Sequence, residues 1–272
     1  MNPGIGLRCK LFVTDLDGTV LVDAGNGCFM PERTKQALGA LHARGVHVVL
    51  ASGRMHESIQ VVAKSLGFQG AIISYNGAMV RGADGALLSH TPLDTAVSDE
   101  VLSLAEARGI PLNFYHQGKI HSRRFHPWWD LYEGRSSSPM HEEPSLLPFL
   151  GRQATKLLMM SEGSVIRGLH AELKPRFAGR ANVLISSDEY LEFMSPLADK
   201  GSAVERLAAH LGVAREEIVA VGDGNNDIEM LRYAGTGLAI ADGRQALIDE
   251  ADHVVAGPGD HGVADFIERF LL

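Results

Sequence analysis

The stretch LFVTDLDGT, from Leu11 to Thr19, decides the architecture of this chain. Lys10 to Thr14 is an apolar run that we predict to form a buried β-strand, and Asp15 and Asp17 follow it directly. Open α/β sheets bind their ligands beyond the carboxyl ends of their strands. The sequence therefore predicts a sheet whose first strand delivers two carboxylates to a ligand site.

The flanking segments alternate between strand and helix patterns. Pro31 to Arg44 has the spacing of an amphipathic helix that ends at Gly45. A strand, a helix and another strand follow at Val46 to Ala51, His56 to Leu66 and Ala71 to Ser74, and the alternation resumes from Lys200 to Ala256. Strands separated by helix-length segments predict parallel strands with right-handed crossovers. The predicted fold class is α/β, with a doubly wound, Rossmann-like parallel sheet.

The alternation is lost between about Arg81 and Met194. Leu112 to Arg123 and Asn182 to Met194 each predict a hairpin, and Val165 to Phe177 predicts a helix. Phe125 to Pro148 has no clear period, so we predict a loop with at most one short helix there. We expect a core made of residues 1–81 and 195–272, with an α+β domain inserted at residues 82–194.

Composition argues against several classes of partner. The 272 residues include 25 basic and 33 acidic side chains, for a net charge of -8, which offers no general attraction to nucleic acid or to an anionic membrane. No apolar stretch approaches the roughly 20 residues of a membrane span, and the N-terminus lacks the pattern of a secretory leader. We expect a cytoplasmic protein, a monomer or small homo-oligomer, whose partner is a small molecule.

Asp15 and Asp17 suit the two roles that phosphoryl transfer requires. Side chains two residues apart on a turning loop can approach a phosphorus atom from one side and the leaving oxygen from the other. An isolated Asp-x-Asp-Gly sequence is also a common turn, because Asp and Gly favour loops. Ser52 to Arg54 ends the second strand, and a hydroxyl with backbone N–H groups beside a helix start suits phosphate oxygens, although Ser-Gly is also an ordinary turn.

A second acidic loop and a lysine complete the candidate site. Gly222 to Asp227, GDGNND, follows the apolar run from Ile218 to Val221 and offers hard oxygen ligands for Mg²⁺. Asp15, Asp223 and the carbonyl of Asp17 would suffice, with Asp227 binding or bracing the ion. The alternative is a helix N-cap without further function. Lys200 opens a predicted helix and could neutralise a phosphate, although most lysines are solvated.

Together these stretches resemble the haloacid dehalogenase superfamily: DLDGT at Asp15 to Thr19, SGR at Ser52 to Arg54, Lys200, and GDGNND at Gly222 to Asp227. Their order along the chain also matches. The closer likeness is to the Cof-type phosphatases, whose Tyr-Asn-Gly-Ala stretch is similar to Tyr75 to Ala78 and whose inserted domain is a cap of the C2 type. Ala241 to Arg244 departs from the Gly-Asn-Ala stretch that is usual in that family.

The resemblance implies roles for individual residues. It implies Asp15 as the nucleophile, Asp17 as general acid and then base, and Lys200 as a third catalytic residue. The implied phosphate-binding or substrate-binding residues are Thr19, Ser52, Gly53, Arg54, Asn76 and Asn226. The implied residues of the Mg²⁺ site are Asp15, Asp17, Asp223 and Asp227.

The expected activity is Mg²⁺-dependent hydrolysis of a small phosphomonoester through an aspartyl-phosphate on Asp15. Sugar phosphates are the leading substrate class, followed by pyridoxal phosphate and flavin mononucleotide. Three alternatives stay open: a phosphomutase with the same chemistry, a non-catalytic sugar-phosphate sensor, and a structural module that binds only a metal. The acid at Asp17 argues against dehalogenation, because the resemblance implies that the dehalogenase branch lacks it.

Overall fold

A computed structural model describes residues 7–25, 27–124, 127–135 and 138–272. The chain divides into two compact units. A core unit takes the chain up to Arg54 together with Val62–Ser89 and Asp199–Leu272, and an inserted unit comprises Met55–Val61 and His90–Ala198. The domain boundaries that we expect after residues 81 and 194 stay predictions.

The strands and helices follow the chain in this order. The strands are β1 (Leu11–Thr14), β2 (Val22–Asp23), β3 (Cys28–Phe29), β4 (His47–Ala51), β5 (Ala71–Ser74), β6 (Met79–Arg81), β7 (Leu87–His90), β8 (Leu112–His116), β9 (Lys119–Ser122), β10 (Met140–Glu142), β11 (Lys156–Met160), β12 (Asn182–Ser187), β13 (Tyr190–Met194), β14 (Ile218–Gly222), β15 (Thr236–Ile240) and β16 (His253–Val255). The helices are α1 (Glu32–Ala43), α2 (His56–Ser65), α3 (Thr95–Arg108), α4 (Trp128–Arg135), α5 (Gly163–Arg176), α6 (Lys200–Leu211), α7 (Ile228–Tyr233), α8 (Gln245–Ile248) and α9 (Gly262–Phe270).

The core unit is built on an eight-stranded sheet in the order β16-β15-β14-β1-β4-β5-β6-β7. The strands from β16 to β5 are parallel, and β6 pairs antiparallel with β5. β1 lies in the middle, and its Leu11, Phe12 and Val13 are 0% exposed. A parallel strand covered on both faces must be apolar throughout, which explains the run before Asp15. The predicted α/β fold with a parallel core sheet is confirmed.

The inserted unit has a mixed six-stranded sheet in the order β10-β9-β8-β11-β13-β12. Residues of α3 and α5 form one buried apolar cluster with alternate residues of the strands, among them Phe114, Leu157 and Phe193. The two predicted hairpins are β8–β9 and β12–β13, both antiparallel. The α+β character predicted for this part of the chain is confirmed.

Two elements of the inserted unit went unpredicted. Helix α3 begins after Asp94, whose carboxylate accepts the N–H of Val97 at 3.2 Å, and ends at Gly109 with φ 64°. Both are ordinary helix-end signals that the sequence analysis passed over. In the predicted loop from Phe125 to Pro148, β10 pairs in parallel with β9, so the loop interpretation was incomplete. Three residues are too few to show a strand period. Positions 125, 126, 136 and 137 of that segment lie outside the described residues.

Within the described ranges, no helix has the length and apolar character needed to cross a membrane.

A buried ion pair in the inserted unit gives a prediction about stability. The ammonium of Lys156, a residue 5% exposed, lies 3.1 Å from the carboxylate of Glu192, a residue 7% exposed. Burial alone would lower the pKa of Lys156, but the charge of Glu192 outweighs it and raises that pKa. Because a buried charge without its partner is costly, Lys156→Met should lower the free energy of unfolding by about 3–5 kcal/mol.

Urea denaturation of the single and double variants tests this prediction. Lys156→Met/Glu192→Leu removes both charges, and we expect it to recover most of the lost stability. Equal stability of Lys156→Met and the wild type would show that the pair contributes nothing.

Candidate active site

The first loop of the site leaves the sheet at the end of β1. The N–H of Asp15 donates to the carbonyl of Val221 on β14 at 2.9 Å, which fixes the start of the loop beside the neighbouring strand. The hydroxyl of Thr19 donates to Asp15 Oδ2 at 3.4 Å and to Asp223 Oδ1 at 3.2 Å. Gly18 has φ 77°, and a Cβ there would lie 2.6 Å from Asp223 Oδ2. Only glycine therefore satisfies both the backbone and the space at this position.

Lys200 lies against Asp15 from the far end of the chain. It is 0% exposed, and its Nζ donates to Asp15 Oδ1 at 2.5 Å and to Asp227 Oδ1 at 2.6 Å. Asp199 caps α6 by accepting the N–H of Ser202 at 2.7 Å, so the helix starts where Lys200 must stand. Burial alone would lower the pKa of Lys200, but its two carboxylate partners outweigh it and raise that pKa. The lysine is held as an ammonium ion.

Asp227 organises the acidic loop. It is 0% exposed, and its Oδ2 accepts the N–H groups of Asp223 at 3.1 Å and Gly224 at 3.0 Å. Its Oδ1 is taken by Lys200. A Cβ at Gly222 would overlap the Asp227 side chain, which explains the glycine at the end of β14. Both oxygens of Asp227 thus hold protein groups in place.

Asp15, Asp223 and Asp227 each place one carboxylate oxygen within 4.8 Å of the others, and no other His, Cys, Asp or Glu group with this spacing occurs among the described residues. Burial raises the pKa of Asp15 to about 7, against the attraction of Lys200. Burial and then the charge of Asp227 also raise the pKa of Asp223. Crowded carboxylates disfavour their own ionisation, and a bound cation reverses that effect. Their hard oxygen atoms fit a divalent ion such as Mg²⁺.

Asp17 has a different partner. Its carboxylate is held by the guanidinium of Arg54, whose Nε donates to Oδ2 at 2.8 Å and whose Nη2 donates to Oδ1. The Asp17 side chain is 52% exposed, and its carboxylate is not one of the three clustered acids. Asp17 and Arg54 are predicted from the sequence to share a site, but their pairing is not.

The loop after β4 and the turn after β5 complete the arrangement. Ser52 is 2% exposed, and its Oγ accepts the N–H of Arg54 at 3.2 Å. Asn226 Nδ2 donates to Asn76 Oδ1 at 2.9 Å. A Cβ at Gly53 would lie 2.9 Å from the same Asn76 oxygen. The structure thus brings together Gly53, Asn76 and Asn226 from three separate segments.

A supporting loop at Ala241 to Arg244 was not predicted as part of the site. The N–H of Arg244 donates to the carbonyl of Asp223 at 2.8 Å, and a Cβ at Gly243 would lie 2.7 Å from that oxygen. This segment, where the sequence departs from the family pattern, therefore packs on the backbone of Asp223. In the sequence, this loop could have been recognised as a turn directly after an apolar strand. The two acidic loops, after β1 and after β14, occupy the same kind of position.

A doubly wound sheet with a buried lysine and three acids at its strand ends defines the class of protein. Residues 12–267 match the family model of haloacid dehalogenase-like hydrolases, and the chain belongs to that family. The resemblance to the haloacid dehalogenase superfamily and its Cof-type branch is confirmed.

Individual relatives match nearly the whole of this chain. An HMP-PP phosphatase of Cronobacter sakazakii is 26% identical, with 96% of each chain covered. A crystal structure of a Thermotoga maritima protein has 28% identity and a TM-score of 0.89, covering 96% of this chain and 97% of that one. A chloroplastic endoribonuclease YBEY of Arabidopsis thaliana is 32% identical over 95% of this chain, which spans only 46% of that relative.

Proposed function

We propose that this protein is a Mg²⁺-dependent phosphatase that hydrolyses small phosphomonoesters through an aspartyl-phosphate on Asp15. The observation that supports this most strongly is the contact of Asp15 with Lys200, both buried, beside Asp223. A carboxylate in such a position can act as a nucleophile, because the nearby ammonium offsets its repulsion of a phosphate dianion.

In the first half of the proposed reaction, an oxygen of Asp15 attacks phosphorus in line with the leaving oxygen. The new bond joins Asp15 to phosphorus, the ester P–O bond breaks, and Asp17 gives its proton to the leaving alkoxide. In the second half, water attacks the phosphorus of the aspartyl-phosphate while Asp17 takes a proton from it. Inorganic phosphate leaves and the carboxylate of Asp15 is restored.

The contacts around Asp15 support the proposed binding roles. Lys200 neutralises charge at the reacting group, since it is an ammonium held against the nucleophile. Phosphate and substrate contacts are assigned to Thr19, Ser52, Gly53 and Arg54, while the side chains of Asn76 and Asn226 bond to each other beside these groups. Arg54 holds Asp17 through Nε and Nη2 alone, and the guanidinium has further N–H groups that can bind a phosphate oxygen.

The proposed metal site uses the acidic cluster. Asp15 and Asp223 would hold Mg²⁺, with the backbone carbonyl of Asp17 as a further ligand. Of the two roles open to Asp227, bracing is favoured, because it accepts three hydrogen bonds, two of them from the backbone of the acidic loop itself. When bound, the ion neutralises negative charge on the phosphoryl oxygens.

The substrate class and surroundings of the enzyme are also proposals. We assign the choice of substrate to the inserted unit and place sugar phosphates and similar metabolites first. The Cronobacter relative is named an HMP-PP phosphatase, so HMP-PP belongs in the test panel. We propose a cytoplasmic enzyme, monomeric or a small homo-oligomer, without a nucleic-acid or membrane partner.

Phosphate release from a panel of phosphorylated metabolites tests the proposal. We expect release in the presence of Mg²⁺, its loss on chelation, and its recovery when Mg²⁺ is added back. Isomerisation of a sugar phosphate without phosphate release would show a phosphomutase instead. Tight binding of a sugar phosphate with no chemical change in any condition would show a sensor.

A further inference from the structure

The turn Tyr75–Gly77 after β5 holds an unusual backbone. Tyr75 has φ 52° and Asn76 has φ 51°, so two consecutive residues other than glycine occupy the left-handed region. Asparagine tolerates this region, but a bulky aromatic residue adopts it at a cost in free energy. Tyr75 is 1% exposed. Such strain persists only where the surroundings impose it, and it is common at functional sites.

The surroundings of this turn are the loops of the candidate active site. The N–H of Tyr75 donates to the carbonyl of Arg54 at 2.9 Å, and the N–H of Asn76 donates to the carbonyl of Ser52 at 3.1 Å. A Cβ at Gly77 would overlap the carbonyl of Asp199, the residue before Lys200. The turn is therefore fixed on one side to the loop after β4 and lies on the other against the start of α6.

The side chain of Asn76 reaches a third loop. Its Oδ1 accepts from Asn226 Nδ2 at 2.9 Å, and its amide lies over Gly53, where a Cβ would come within 2.9 Å of Oδ1 and 3.1 Å of Nδ2. Asn226 lies one residue before Asp227, whose carboxylate accepts hydrogen bonds from Lys200 and from the backbone N–H of Asp223 in the acidic loop. Asn76 thus joins the loop after β4, through its backbone N–H to Ser52 and the packing of its amide on Gly53, to the loop after β14, through its hydrogen bond with Asn226.

We propose that Asn76 is a positioning residue that braces these two loops, so that the phosphate-binding groups of each keep a fixed spacing. The strained turn serves to present its amide between Gly53 and Asn226. This inference rests on the proposed phosphatase function for its kinetic consequences. The rival explanation is that Asn76 is present only because asparagine tolerates a left-handed backbone.

Replacing Asn76 with glycine distinguishes the two explanations, because glycine adopts the left-handed backbone readily but has no side-chain amide. Under the brace hypothesis, Asn76→Gly and Asn226→Ala should each lower kcat about 10-fold to 100-fold with little change in KM. The kcat of the double variant should be no lower than that of the less active single variant, since each change removes the same hydrogen bond. Gln117→Gly, at an exposed position with φ 50°, and Asn182→Ala, at an exposed position of β12, are the matched controls, and we expect wild-type rates for both.

Amide hydrogen exchange gives a readout that needs no turnover. Asn76→Gly should accelerate exchange in residues 52–54 and also in residues 223–227, with the thermal midpoint unchanged. Unaltered exchange in the acidic loop, wild-type kcat in Asn76→Gly, a rise in KM alone, or losses that multiply in the double variant would each overturn the brace. A wild-type protein that releases no phosphate would refute the proposed function, and the exchange experiment would still decide whether the brace exists.

Discussion

Asp15→Asn should abolish phosphate release while the protein stays folded. The amide keeps the shape of the side chain but cannot form the acyl phosphate, so we expect a loss of at least about 10⁴-fold in kcat. Continuous phosphate detection with freshly purified protein measures this. Asp260→Asn, a change at an exposed aspartate of the core unit, is the control and should keep the wild-type rate. Wild-type turnover by pure Asp15→Asn would exclude Asp15 as the nucleophile.

The same variant has a predicted effect on stability that depends on pH. Because burial raises the pKa of Asp15 from 3.8 to about 7, the folded state binds this proton more tightly than the unfolded state does. Ionisation of Asp15 then costs stability progressively between these two values, and the full cost applies above pH 7. We expect Asp15→Asn without Mg²⁺ to be at least as stable as the wild type at pH 8. Thermal unfolding of both proteins at pH 4 and pH 8 checks this direction. The prediction would be contradicted if Asp15→Asn were less stable than the wild type by a larger margin at pH 8 than at pH 4.

Lys200→Met should strongly destabilise the core unit. It leaves the carboxylates of Asp15, 5% exposed, and Asp227, 0% exposed, without their shared cation. Removing one member of a buried ionic cluster costs about 3–5 kcal/mol, so we expect a loss of that size in the free energy of unfolding. Removal of positive charge from the reacting group should also lower kcat by about 10²-fold to 10³-fold.

Two further variants separate charge from side-chain volume. Lys64→Met, at an exposed position of α2, should change stability by less than about 0.5 kcal/mol. Lys200→Met/Asp15→Asn removes one of the two stranded carboxylates and should be more stable than Lys200→Met alone. Urea denaturation without Mg²⁺ measures all three, and equal stability of the Lys200→Met and Lys64→Met proteins would show that the cluster is not charged as described.

The parts of the fold that could be predicted are those with a local cause. The apolar run before Asp15 and the run before Gly222 are strands buried on both faces, so their hydrophobicity is continuous and easily recognised. The acids that follow each strand meet because β1 and β14 are parallel neighbours. Helix α3, by contrast, was missed although Asp94 and Gly109 mark its ends.

The parts of the site that could not be predicted depend on contacts between distant residues. A single lysine in a sequence gives no sign of burial, and the prediction for Lys200 depended on the family resemblance. The bond between Asn76 and Asn226 joins residues 150 positions apart, and the pair of Arg54 with Asp17 joins residues 37 positions apart. Neither pair has a local pattern, because its geometry is created only when the strands assemble.

The central claim is that the phosphoryl group passes through Asp15, and trapping the intermediate tests it most directly. Asp17→Asn should slow the hydrolysis of an aspartyl-phosphate, because water then lacks its general base. This variant would be mixed with Mg²⁺ and the best substrate of the panel, bearing a radiolabelled phosphoryl group and an activated leaving group, quenched in acid within milliseconds, and digested. We expect the label on the peptide that contains Asp15, released by hydroxylamine as an acyl phosphate is. Turnover without label on the protein, or label on a peptide that lacks Asp15, would contradict the account.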